Sequence, residues 1–479
     1  MNDTMLIDTN NAEKALGDAQ AEFISAREAE DIADQALDDA DTIDRITDTL
    51  ESRIHGATSE EVEMAQIAVE TICKRLGIAS PRPVALENYK DRVTRPDATA
   101  LAVEGLKEIG DTIWKYVLKI YRKIKEWLKK GYNYLFDGRQ KLLKRAKSLE
   151  ALVDKLEGDP KESVIKGSFI KALTFKDHFS DQNVISATKQ IAVAAKSVGD
   201  AADESADVET GLKDTIDAIK KAVNAIEDKP ETSPSAPGNR TLGRQSSNIP
   251  RPDIIKPLLK HLVNSVTNIR GGTSELASAK DSNKLALVDD DLPKINRMPG
   301  ITGFTKERLG ALDKLTGIAN SSNDSGIAVL AEAEAVFKGL RADFIETSDK
   351  INEDFKAKVL DTSAMSQIVT NCIDGLEEAE HYDKGLKKLT EAIDKAERLI
   401  SSAANSRATI NNKELDKAIK MAMRINTKCS QLYSGVLASK YRHILDTARY
   451  SLDYVAQSAK QYKGGSMFGG GADDDEDEE

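Results

Sequence analysis

Residues 113–130 read IWKYVLKIYRKIKEWLKK and carry both tryptophans of the 479-residue chain, with seven Lys or Arg and one Glu. At about 100° per residue on a helical wheel, Ile113, Val117, Ile120, Ile124, Trp127 and Leu128 fall together. Trp114, Tyr116 and Tyr121 flank them. The opposite arc holds Lys115, Lys119, Arg122, Lys123, Lys125, Glu126, Lys129 and Lys130, and only Leu118 is out of place. The separation is that of an amphipathic helix, and Tyr132, Tyr134 and Phe136 extend its aromatic surface.

The helical period continues on both sides. Ala15, Ala19, Phe23, Ala26, Ile32, Leu37, Ile43, Ile46 and Leu50 predict a helix from about Glu13 to Arg53. Val62, Ala65, Val69 and Ile72 predict a second over Ser59–Leu76, with Ser59 as its cap. Ser80-Pro-Arg-Pro83 and Arg95-Pro96-Asp97 mark boundaries. After Gly138 a further helix is expected from Leu142, Ala146, Leu149, Val153 and Leu156, ending before Gly158-Asp159-Pro160. Residues 163–180 read as either short strands or helix. Val208, Leu212, Ile216, Ile219, Val223 and Ile226 predict another helix, and more are expected near 253–269, 304–318, 325–359, 363–402 and 412–461.

These patterns set the fold class as mostly α, with elongated or loosely bundled helices, flexible linkers and a disordered acidic tail. Aromatic residues make up 5% of the chain and charged residues 31%, which suits helices burying narrow stripes better than one large core. Half of the twelve prolines fall between Pro230 and Pro257, defining a linker. The expected organisation is an acidic helical region at 1–104, a basic helical region at 105–229, the Pro/Ser-rich linker at 230–257, a C-terminal helical region at 258–462 and a tail at 463–479. That tail has too few apolar groups to offset the entropy of ordering.

The net charge of −12 hides a steep asymmetry. Residues 1–104 hold 23 Asp or Glu and 10 Lys or Arg, whereas residues 105–147 hold 4 and 13. DDDEDEE closes the chain. A basic middle bracketed by two acidic ends bears on partners and self-masking more than on fold.

Catalytic chemistry is not indicated. Cys73, Cys372 and Cys429 stand far apart with no CxxC pair, which disfavours a disulfide framework or thiolate zinc site and favours a reducing compartment. Glu378-Ala-Glu-His381 is half of a di-iron bundle motif, but no second ExxH occurs among the five histidines. A solvated helix face is the better reading. Gly469-Gly-Gly471 is followed by no GKS or GKT and runs into carboxylates that would repel phosphate. No nucleophile, metal or cofactor constellation stands out, so an enzyme is the least supported class. The N-terminus lacks a secretory pattern, and no run of about 18 uncharged apolar residues exists.

The lysine arc admits three readings. Its apolar side can pack in a bundle while the lysines are solvated. The lysines can contact nucleic-acid phosphates without sequence specificity. The segment 113–136 can lie in a membrane interface. A cytoplasmic helical scaffold and a membrane-active protein are the corresponding alternatives for the whole chain.

An acidic, Ala- and Glu-rich helical start followed by IWKYVLKIYRKIKEWLKKGYNYLF resembles the internal head proteins, or prohead core proteins, of large tailed bacteriophages. The resemblance covers the organisation of roughly the first 150 residues. It implies a virion protein acting inside the capsid, present in the host cytoplasm during assembly, with head proteins, packaged DNA and a prohead protease as partners. It further implies that the acidic region is a propeptide, cut after Glu in a small or aliphatic residue, any residue, Glu pattern. Ala102-Val103-Glu104, followed by Gly105, fits where the charge changes sign. Ala26-Arg-Glu28, Ser59-Glu-Glu61, Ala68-Val-Glu70, Ala85-Leu-Glu87 and Ser148-Leu-Glu150 fit as well. Glu104 is singled out because a cut there removes the net charge of −13 that residues 1–104 carry.

Overall fold

A computed structural model of the chain describes residues 2–79, 95–174, 179–196, 356–385 and 437–464, with isolated positions at 199, 301–303, 335, 343–345 and between 387 and 401. The architecture is mostly α. In chain order the elements are α1 (Asn2–Glu51), α2 (Ser59–Leu76), α3 (Arg95–Val153), β1 (Val164–Ile165), α4 (Ser168–Leu173), α5 (181–196), β2 (Ile301–Gly303), β3 (Asp343–Ile345), β4 (Ala357–Lys358), α6 (Thr362–Glu378) and α7 (Ala438–Ala459). The helix expected over 208–226, the linker, the helices near 253–269 and 304–318 and the tail beyond 464 lie outside the described residues.

Contacts divide the chain into two compact units, one of Ile24–Trp127 and one of Met1–Phe23 with Leu128–Glu479. In the Ile24–Trp127 unit, α1 contributes a stripe of buried alanines, Ala26, Ala29, Ala33, Ala36 and Ala40, together with Leu37, Ile43 and Leu50. Small side chains let neighbouring helices approach closely. From α2 come Val62, Ala65, Val69, Ile72, Cys73 and Leu76, and from α3 the bulkier Ile109, Ile113, Trp114, Val117, Ile120, Tyr121 and Ile124.

Two links fix the connections in this unit. Arg75 of α2 pairs with the buried Asp39 of α1, and the Ala57 N–H donates to Thr99 Oγ1 of α3 at 2.7 Å. The N-cap of α2 is Thr58 rather than the expected Ser59. Its hydroxyl accepts from the Glu61 N–H at 3.2 Å while the Thr58 N–H donates to Glu61 Oε2 at 2.9 Å, a reciprocal capping box. Gly77 ends α2 with φ +65°, a left-handed conformation that favours glycine.

The larger unit is organised around α7. Phe169 of α4 stacks on Tyr454 at 5.1 Å, and the Tyr454 hydroxyl donates to the Lys358 carbonyl at 2.7 Å. Tyr462 does the same for Leu360 at 2.9 Å. These bonds hold β4 where it pairs antiparallel with β1, Val164 opposite Lys358 and Ile165 opposite Ala357. Residues 163–180 therefore contain both a strand and a short helix. The strands β3 and β4 interrupt the helix expected over 325–359, because their backbone groups pair with β2 and β1 instead. Ile191 of α5 lies against Gly375 of α6, and Met365, Ile368, Val369, Cys372 and Leu376 of α6 are buried with it.

One expectation at Gly138 is corrected. The 59-residue α3 runs through that glycine and joins two helices that the sequence separates. Leu16 of α1 sits where a Gly138 side chain would be, 3.1 Å from the ideal Cβ position, so this glycine answers a close approach rather than a helix end.

Candidate functional site

The apolar arc of 113–130 is largely buried. Ile113 and Val117 are inaccessible, Trp114, Ile120, Tyr121, Ile124 and Leu128 are nearly so, and Tyr116 and Trp127 are half-buried. Lys115, Lys119, Arg122, Lys123, Lys129 and Lys130 are exposed and Lys125 is half-buried. Arg122 and Lys125 each have a partner within the chain. The helix is assigned to the Ile24–Trp127 unit up to Trp127 and to the larger unit from Leu128. A row of ammonium groups on a helix whose other side is already packed can meet an anionic partner without disturbing the core.

The rest of the basic region is used differently. Arg139 is buried, 2.7 Å from Asp383, and donates to the Leu376 carbonyl at 2.9 Å. Arg145, also buried, pairs with Asp453 of α7 at 2.7 Å, and Lys147 with Glu377 of α6 at 2.7 Å. Near the other end, Lys107 meets Glu51 at 2.9 Å. The count of thirteen cations in 105–147 therefore overstates the charge available to a partner.

Around Arg139 the Tyr441 hydroxyl donates to Asp383 Oδ1 at 3.2 Å, and Tyr441 stacks on Tyr382 at 4.0 Å. Burial pushes the Asp383 carboxyl above its ordinary range, against the pull of Arg139. A neighbouring cluster holds Asp446 between Arg442 and Arg449, with Glu13 of α1 at 3.4 Å from Arg449. Sequence reasoning missed these pairs, although a signal existed. Arg139 falls on the stripe of Leu135, Leu142, Ala146 and Leu149, where a cation has to find a buried partner.

Among the processing residues, Glu104 is exposed, Ala102 and Gly105 are half-buried and Val103 is buried. All four lie inside α3, about three turns from its start. Leu50, Arg53, Val103, Glu104 and Lys107 line an open cleft of about 490 Å³. Of the other matches to the pattern, 26–28, 59–61, 68–70 and 148–150 are also helical, and Ala85-Leu86-Glu87 lies outside the described residues.

A family model described as phiKZ-like phage internal head proteins matches residues 18–457. The chain belongs to this family. The match extends far past the first 150 residues and takes in both described units. No curated protein and no solved structure matches the chain. As an internal head protein it is a structural component of the virion, located inside the phage head. Among the described residues no helix is long and apolar enough to cross a membrane. Cys372, in the internal head protein's α6, is fully buried, and burial pushes its thiol up, which suits packing rather than nucleophilic work.

Proposed function

We propose that this internal head protein meets packaged DNA, or the inner capsid surface, through the row Lys115, Lys119, Arg122, Lys123, Lys125, Lys129 and Lys130, without sequence specificity. The observation that carries this reading is the division of α3 into a packed apolar side and an exposed cationic side. Phosphate contacts by lysines position a protein on nucleic acid and carry no base information. Membrane insertion by 113–136 is less well supported, because it needs the apolar side that the fold already covers.

Cleavage by a prohead protease after Glu104 belongs to the same proposal. Proteases bind extended chain, so a cut inside α3 calls for local unwinding of its first turns, which breaks the Ala57–Thr99 bond and exposes Val103. The test has two parts. Charge reversal at Lys119 and Lys123 should abolish duplex binding at moderate salt, and unchanged binding would remove the DNA reading. Intact-mass analysis of the protein from its native particle should give an N-terminus at Gly105, whereas a full-length chain would remove the processing reading.

A further inference from the structure

We infer that the side of α3 notched by Gly131 and Gly138 is a docking surface for residues 12–23 of α1, able to hold the acidic segment when the chain between them is severed. A side chain at Gly131 would meet the Phe23 ring at 2.9–3.1 Å, and one at Gly138 would meet Leu16 at 3.1 Å. Both pairs are seven residues apart, and they run in opposite directions along the two helices. This is the register of antiparallel helices seating knobs into holes, with a missing Cβ making each hole deeper. Neither glycine has the positive φ that would give it a backbone reason to be there, and glycine within a helix is unfavourable. Space is the remaining reason.

Further contacts support the seating. Ala12, Ala15, Leu16 and Ala19 are buried, and Phe23 packs edge-on against Tyr132 at 5.3 Å and 64°. Glu13 reaches Arg449 of α7 at 3.4 Å. These contacts lie within the larger unit and do not use the backbone between residues 24 and 127. A cut after Glu104 therefore replaces a covalent tether with a non-covalent one, and loss of the acidic segment becomes a second, separable step. The inference deepens the processing reading, on which its biological meaning rests, while the docking surface itself does not depend on that reading.

The experiment uses the full chain with the recognition site of a sequence-specific protease inserted after Glu104. After digestion, native mass spectrometry and gel filtration should find residues 1–104 and 105–479 in one 1:1 complex. Gly131→Leu, filling the notch, should weaken that complex about tenfold or more, and Phe23→Ala in the same chain should restore part of the loss, as expected for directly coupled residues. Phe23→Ala alone, which only removes atoms, serves if Gly131→Leu does not fold, and should also weaken the complex. Separation of the unsubstituted fragments, or retention unaffected by either substitution, overturns the docking surface. An N-terminus at residue 1 in the native particle would overturn processing and leave the surface standing, so the two failures are distinguishable.

Discussion

Arg139 shows how single residues of the basic region divide between fold and function. It sits on the buried stripe of α3 and is fixed by the Asp383 carboxylate and the Leu376 carbonyl. Removing one partner of such a pair strands the other charge, so Arg139→Ala should cost about 3–5 kcal/mol in denaturant unfolding, whereas replacing both partners by apolar residues of similar volume should cost far less. The pH dependence follows from burial of Asp383, which raises its folded-state pKa above the unfolded value of about 3.9. The fold thus favours the protonated carboxyl. That contribution is complete below the unfolded pKa and is lost as pH rises through the folded one. Asp383→Asn should flatten the melting temperature against pH in the window just above pH ~4, and a profile identical to that of the unsubstituted protein would contradict the assignment. Lysines on the other side, such as Lys119 and Lys123, should be replaceable with little change in stability, as exposed substitutions usually are.

The element that decides both proposals is α3. Its continuity through Glu104 makes processing depend on local opening, and Ala100, exposed one turn before the cut, offers a handle. Glycine there lowers helix stability by about 1 kcal/mol, so Ala100→Gly should speed cleavage after Glu104 about fivefold where opening is in rapid equilibrium. An unchanged rate of band conversion with the prohead protease would place the cut elsewhere. Much of α3 was legible in the sequence, because Ile113, Val117, Ile120 and Ile124 repeat at helical spacing and the lysines fill the other arc. Its length was not. Gly138 reads as a stop when only local conformation is considered, and only the packing of Leu16 reveals why the helix continues. Likewise Val164-Ile165 and Ala357-Lys358 have no local signal strong enough to decide between strand and helix, since the choice is made by pairing between segments far apart in sequence. In the candidate site, exposure of the lysines was readable from the wheel, whereas the loss of Arg139 and Arg145 to Asp383 and Asp453 depends on the helical residues 380–385 beyond α6 and on α7.

For the whole molecule the governing quantity is the distribution of charge. Within the Ile24–Trp127 unit the acidic segment meets the basic one at Glu51 and Lys107, yet Lys115, Lys119 and Lys123 remain exposed. If residues 1–104 mask the row, they do so through their field rather than as physical cover, and the masking should fade as the Debye length falls below the roughly 10 Å width of a helix. Digested protein freed of residues 1–104 should bind DNA more tightly than the full chain at low salt, with the difference shrinking toward 0.2 M, and a salt-independent difference would argue for direct cover. The most direct test of the central claim is the salt dependence of duplex DNA binding by the full chain, compared with Lys115→Gln/Lys119→Gln/Lys123→Gln. If these ammonium groups neutralise phosphates, the slope of log affinity against log salt should become shallower by about 0.9 for each lysine removed, close to 3 in all. An unchanged slope would mean that the exposed row on α3 does not meet DNA.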